Sequence, residues 1–144
     1  MIAAEFLVAG NAEGDVLRLE APLSFWGGVH EATGEIIDTH HPQHGQSVTG
    51  RVMLMPGGRG SSSSSSVLAE LIRAGVGPAA IVLGERDPII ALGAMVAEAL
   101  YGRSVPVLVL GADEYERVSA WKRTRIVRVA QGATLEEVEV RQSH

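Results

Sequence analysis

The run Gly57-Gly58-Arg59-Gly60-Ser61-Ser62-Ser63-Ser64-Ser65-Ser66 holds the densest supply of chemistry in this sequence. Gly60 allows the backbone to approach a bound group closely, Arg59 can add a charge-assisted contact, and serine hydroxyls can cap a helix, donate to an anion or accept a proton. If the run opens a helix, the unpaired first amides and the positive end of the helix dipole suit carboxylate or phosphate. Two familiar arrangements are unsupported. No Gly-Lys-Ser/Thr follows the glycines, so the phosphate-reaching lysine of a P-loop is missing. The Gly-x-Ser-x-Gly elbow of serine hydrolases is missing as well.

Whether such a turn is ordered depends on its flanks. A Gly/Ser run by itself reads as a flexible linker. Here Arg51–Met55 reads as a buried strand before it, and Val67–Ala74 as a helix after it, with Leu68, Leu71 and Ile72 at helical spacing. A floppy join would separate two parts of one core, so the run is predicted to be an ordered strand–loop–helix junction. Gly75 and Gly77-Pro78 stop the helix. Ala79–Leu83 is a buried strand, and Asp87-Pro88 opens a second helix through about Leu100. Val105–Leu110 is another buried strand, with Arg125–Ala130 and Leu135–Val140 as closing strands. At the start, Ile2–Ala9 and Asp15–Glu20 surround the loop 10–14 and read as a β-hairpin or two neighbouring strands, with Val16, Leu17 and Leu19 largely buried and Arg18 facing out. Residues 1–144 are therefore expected to form a single α/β domain, a central β-α-β-α-β with β-rich N- and C-terminal parts.

Leu23–Gly50 shows little periodicity, and a long loop-rich segment in a compact domain is more often functional than decorative. Ile36-Ile37 is its one brief strand. Asp38, His40, His41 and His44 are residue types that ligate zinc or iron(II). Pro42 and Gly45 break any regular spacing that would aim three of them at one point, which favours a loop folded at a site rim or subunit interface. His44 is kept as a substrate-side hydrogen-bonding group. In Ser24-Phe25-Trp26-Gly27-Gly28, the aromatic pair either faces a substrate or partner or plugs the core. Glu85–Asp87 reads as helix capping, Glu136-Glu137-Glu139 as a solvated strand edge, and Lys122-Arg123-Thr124-Arg125 as an exposed turn into a strand.

Composition narrows the function classes. The 144 residues carry 17 acidic against 12 basic side chains, a net charge of −5, and no cysteine. That balance offers no basic stripe for nucleic acid. Without cysteine, this chain supplies no disulfide, thiol nucleophile or thiolate ligand. Its longest apolar runs are strand-sized and too short to cross a bilayer. Met1 is not followed by a basic and then apolar export signal, so a cytoplasmic location is expected.

Ala21-Pro22-Leu23-Ser24-Phe25-Trp26-Gly27-Gly28-Val29, Thr33-Gly34, His41-Pro42-Gln43-His44-Gly45 and Pro56-Gly57-Gly58-Arg59-Gly60-Ser61, with Gly14 and the two following β-α units, together resemble the small subunit, or swivel domain, of the aconitase X family. The resemblance spans nearly the whole chain. It implies a swivelling β/β/α domain of the aconitase type, working as half of a dehydratase. The other half is a large, cysteine-bearing subunit that holds an iron or iron–sulfur centre, so no metal is expected on this chain. The implied substrate is a small hydroxy acid, cis-3-hydroxy-L-proline first and mevalonate 5-phosphate as the alternative. The family's serine after Gly-x-Gly is the base and matches Ser61, with Ser62 as the reserve. Arg59, Gly60, Ser62 and Ser63, with His44 and Trp26, are the candidate substrate contacts. Classical aconitases carry an arginine after the serine pair. Ser63 stands there, so that contact is not carried over. A different class remains open: a non-catalytic module whose serine loop holds an anion.

Overall fold

The computed structural model describes residues 1–57 and 62–140. Seven strands close into a barrel in the order β1-β5-β4-β3-β2-β6-β7. They are β1 (Ile2–Val8), β2 (Ala12–Arg18), β3 (Val52–Met55), β4 (Ala80–Leu83), β5 (Val107–Val109), β6 (Arg123–Val129) and β7 (Gly132–Glu137). The ladder β2-β3-β4-β5 is parallel, and the other pairings are antiparallel. The turn α1 (Phe25–Gly28) and the helices α2 (Ser63–Arg73), α3 (Pro88–Tyr101) and α4 (Ala112–Ser119) complete the order.

β3 and β4 are buried at every residue, because their alternate side chains enter two different cores. Val52, Leu54, Ala80 and Val82 join Ile2, Leu108, Ile126 and Leu135 in one cluster, the barrel interior. Met53, Met55, Ile81 and Leu83 join Leu68, Leu71, Ile90 and Ala94 in the other, beneath α2 and α3. The two helices cross closely. A Cβ on Gly93 would lie 2.8 Å from the Ser65 carbonyl oxygen, so glycine lets α3 reach the first turn of α2.

Several local expectations change. β1 and β2 are joined by only three residues, yet they do not pair: β1 lies between β5 and β7, and β2 between β3 and β6. Their connection is anchored elsewhere. The Asn11 side chain accepts from Arg128 N–H at 2.7 Å, and Gly10 packs where a Cβ would sit 2.7 Å from Ser104 Oγ. The first long helix starts at Ser63, four residues before Val67, because the serines form its first turn. Ile36 makes an isolated bridge to Val29 rather than a strand. α4 was not visible in the apolar pattern, since only Tyr115 and Val118 of its eight residues are buried.

The basic stretch 122–125 is not a turn into a strand: Arg123, Thr124 and Arg125 already lie in β6, facing β2. The Glu13 carboxylate receives Arg123 at 2.9 Å and Arg125 at 2.8 Å, and Arg123 also reaches Asp15 at 3.0 Å. Glu136 and Glu137 pair with β6, at Arg125 and Thr124, and lie beyond residues 133–135 that pair with β1, while Glu139 follows the strand.

Two predictions follow from these contacts. Hydrogen bonds from Arg123 and then Arg125 hold the Glu13 carboxyl below its ordinary value of 4.5. The stabilising effect is therefore complete above that value and lost as pH falls through the lowered one. In urea titrations, the stability gap between the native chain and Glu13→Gln should be constant from neutral pH to about pH 5, then shrink on acidification. A gap that widens in acid would contradict this. The Tyr115 hydroxyl is buried without a hydrogen-bond partner among the described residues, and burial first of all raises its pKa to about 12. Removing an unpartnered buried hydroxyl relieves a desolvation cost, so Tyr115→Phe should keep or raise stability by up to about 1 kcal/mol. A loss of similar size would reveal a partner that the hydroxyl uses in solution.

Candidate functional site

Four parallel strands place four connecting segments at one end of the barrel. The segment after β2 leads to the turn 24–28, the segment after β3 begins with Pro56 and Gly57, the segment after β4 leads to 84–87, and the segment after β5 to 110–111. The carboxyl ends of parallel strands are where such sheets bind ligands, since loops and helix N-termini converge there. Ser62 and the serines that follow it open α2 on the chain leaving this end of β3.

Ser61, Arg59 and Gly60 fall outside the described residues. Ser62 is the N-cap of α2, with no capping bond from its side chain, and Ser63 is the first helical residue; both are exposed. Ser65 Oγ donates to the Ser62 carbonyl at 2.7 Å, tying the first turn together. Ser64 is buried, unlike its exposed neighbours Ser62 and Ser63. Its Oγ lies 3.3 Å from Ser24 Oγ and accepts from Trp26 N–H at 3.4 Å. Ser24 spends its own proton on the Trp26 carbonyl, at 2.9 Å. The Ser64 hydroxyl must then donate to Ser24, so it is engaged both as donor and as acceptor. It is a clasp between the turn 24–28 and the first turn of α2.

That clasp resolves the aromatic pair. Phe25 is fully buried in the core beneath α2, whereas Trp26 is 60% exposed beside the serine turn. Gly27 has φ +76°, with nothing within 4 Å of a would-be Cβ, and this left-handed step carries the chain past the indole.

The histidine loop is attached to the same turn. The Gly28 carbonyl accepts from Ile37 N–H at 2.8 Å and from Asp38 N–H at 3.4 Å. Asp38 Oδ1 then accepts from His40 N–H at 2.9 Å. His41 is buried. Its Nδ1 accepts from Gln43 N–H at 3.0 Å, which leaves Nε2 to donate to the Ala21 carbonyl at 2.9 Å. Gln43 is buried next to it and accepts from Glu20 N–H at 3.0 Å. His41 and Gln43 thus pin the loop to the segment leaving β2, with both imidazole nitrogens of His41 occupied. Among the described residues no three metal-ligating side chains converge. His44 is exposed, and its side chain makes no hydrogen bond or ion pair with the described residues. The fold therefore joins Trp26 directly to the serine turn, and His44 only through the loop that carries it.

Sequence reasoning missed Ser64, Ser24 and Gln43 as structural partners. A signal for Ser64 was present. With Val67, Leu68 and Leu71 it falls at i, i+3, i+4 and i+7, the buried face of α2. The reading of Glu85–Asp87 as capping holds only for Asp87, whose Oδ1 accepts from Ile89 N–H at 2.9 Å and Ile90 N–H at 3.2 Å. Arg86 instead pairs with Glu5 across to β1, and Glu85 packs over Gly57.

A closed barrel with two helices over its parallel wall and a serine-led helix at the carboxyl rim defines a swivel-type domain of mixed α/β architecture. The chain belongs to the aconitase X swivel domain family, whose family model matches residues 1–138. It is 49% identical over 126 residues to cis-3-hydroxy-L-proline dehydratase of Pseudomonas aeruginosa, covering 88% of this chain and 22% of that protein. It is 39% identical over 133 residues to the phosphomevalonate dehydratase small subunit of Thermococcus onnurineus, covering 92% of this chain and 94% of that one. A similar fold is found in the crystal structure of Thermococcus kodakaraensis aconitase X in its holo-form, with TM-score 0.76, 30% identity and coverage of 94% and 96% of the two chains. The chain thus spans about a fifth of the length of the hydroxyproline dehydratases it matches, at 22% each. No described helix is long and apolar enough to cross a membrane.

If Ser64 is the clasp, Ser64→Ala should cost about 1 kcal/mol in urea unfolding and leave the Ser24 hydroxyl and Trp26 N–H short of a partner. In a Trp121→Phe background, the emission of Trp26 should shift as its turn loosens. Unchanged emission and stability would show that the turn is held by other contacts.

Proposed function

We propose that this chain is the swivel half of an aconitase X-type dehydratase, completed by a large subunit. The observation that carries the reading is the clasped serine turn on the carboxyl rim: a helix N-terminus held rigid from behind by Ser64, with Ser62 and Ser63 exposed in front. The naming of relatives as dehydratases and as small subunits supports it. Ser61 is the proposed base. A serine hydroxyl becomes a competent base only when its alkoxide is stabilised, and backbone amides at a helix start supply part of that. Ser61 would take the proton beside the substrate carboxylate, with Ser62 as the reserve. Arg59, the close backbone approach at Gly60, and Ser62 and Ser63 would hold the carboxylate, with His44 and Trp26 closing the substrate side. His41 has no free nitrogen for a metal, and this chain has no cysteine. The family resemblance implies an iron or iron–sulfur centre held by the large subunit, where it would assist hydroxide departure as a Lewis acid.

cis-3-Hydroxy-L-proline is the preferred substrate, because the hydroxyproline dehydratases of Pseudomonas aeruginosa and Hypocrea jecorina match 88% and 92% of this chain at 49% and 41% identity. Mevalonate 5-phosphate is the alternative, favoured by the 94% coverage of the Thermococcus onnurineus small subunit.

The chain reconstituted with its large partner should dehydrate cis-3-hydroxy-L-proline. Ser61→Ala should reduce turnover by at least about a thousandfold, as expected for loss of a group acting in the transition state, with assembly and unfolding midpoint unchanged. Retention of most activity would overturn the assignment of the base.

A further inference from the structure

We infer that the outward face of α3 is a docking surface for a second copy of this chain, which lays its own α3 antiparallel upon it. Of the 14 residues of α3, Glu98 is the one that carries a charge. Ile90, Gly93, Ala94 and Ala97 are buried, on the side that faces the core. A surface helix ordinarily turns polar residues to solvent, and a contiguous apolar face marks a contact. α3 instead exposes Pro88, Leu92, Met95 and Ala99, with Leu92 51% and Met95 54% accessible. Their spacing of four, three and four residues is the repeat of a helix–helix seam, and the buried positions fall on the opposite side of the helix. Leu100 and Tyr101 extend the apolar surface at the last turn.

Charge and symmetry select a second copy as the occupant and set its direction. The N-terminal end of α3 is acidic through Glu85 and Asp87, since Arg86 is neutralised by Glu5. The C-terminal end is basic through Arg103, since the nearby Arg73 is neutralised by Glu70. Neither Glu85 nor Arg103 is paired with a described residue. An antiparallel pair that sets Leu92 against Met95 of the second copy also sets Pro88 against Ala99 and Glu85 beside Arg103, each contact occurring twice about one two-fold axis. Both charges lie on the flank of α3 that faces α2. Glu85 packs over Gly57, and Arg103 Nη1 lies 3.5 Å from where a Cβ of Gly75 would sit, just past the end of α2. A two-fold axis normal to the plane of the paired helices leaves both of these flanks on one side, which lets the opposite charges meet. The antiparallel helix dipoles add to the attraction. The seam would bury roughly 400 Å² per copy, about half of a standard interface, so the dimer is reversible.

The test is sedimentation equilibrium of the chain over a range of concentrations. The native chain should be half dimeric at a concentration on the order of 10–100 µM. Leu92→Glu puts an uncompensated carboxylate into the seam and should stay monomeric at about ten times that concentration, with circular dichroism and urea midpoint unchanged. Glu85→Arg or Arg103→Glu alone should weaken the dimer about fivefold, and the two together should restore it to within about twofold. Because the chain has no cysteine, oxidation of a mixture of Leu92→Cys and Met95→Cys chains should cross-link them, and either variant alone far less. A chain that is monomeric throughout, a dimer indifferent to Leu92→Glu, or charge variants without effect would overturn the proposal. So would failure of Leu92→Glu to bind the large subunit, which would make that subunit the occupant of the face. The dehydratase reading is tested separately, by turnover of the complex.

Discussion

Closure of the barrel is the constraint on which the rest of the structure depends, and two strands impose it. β1 and β2 each belong to both walls: β1 joins parallel-wall β5 to antiparallel β7, and β2 joins parallel-wall β3 to antiparallel β6. If they paired with each other as a simple hairpin, both walls would have open edges and the interior cluster would have no boundary. Because they do not, β2, β3, β4 and β5 are held parallel and in register, and all four carboxyl ends come to one rim. The Glu13–Arg123–Arg125 group lies across β2 and β6, one of these closing seams. Such exposed pairs add little energy by themselves, but they favour one register over a slipped one.

From that rim inward, order is built by buried polar contacts rather than by the serine run itself. A row of serines has weak helix propensity and would fray in isolation. Ser64 reverses this by turning inward and binding the turn 24–28, while Gly93 lets α3 support the same helical turn from its other side. His41 and Gln43 do comparable work for the 38–44 loop, satisfying backbone groups that would otherwise be buried without partners. Residues whose types suggested ligand chemistry thus divide into two groups. Ser64 and His41 are fully engaged in the scaffold, while Trp26, His44, Ser62 and Ser63 remain exposed at the surface.

Much of the fold was legible in the sequence wherever a periodic pattern met a clear stop. The apolar runs that became β3, β4 and β5 were continuous because both faces are covered, and Asp87-Pro88 marked the start of α3 by its own chemistry. α4 was hidden because an eight-residue helix with two buried side chains has almost no pattern to read. The start of α2 was misplaced because the first turn of a helix needs no apolar residues, and the buried Ser64 resembles its exposed neighbours in composition.

By itself, the sequence determined the alternation of strands and helices, the lack of thiol chemistry in this chain, and the serine-rich junction with its family resemblance. All of these are properties of residue type and spacing, which need no knowledge of partners. Only the tertiary structure decided that β1 and β2 part company, that Phe25 goes inward while Trp26 goes outward, and that His41 is a brace. It also decided that the Glu85 carboxylate lies over Gly57. These outcomes depend on which groups meet across long sequence separations. Hydrogen-bond partners and excluded volume are set there by closure of the barrel, and no local window of sequence contains them.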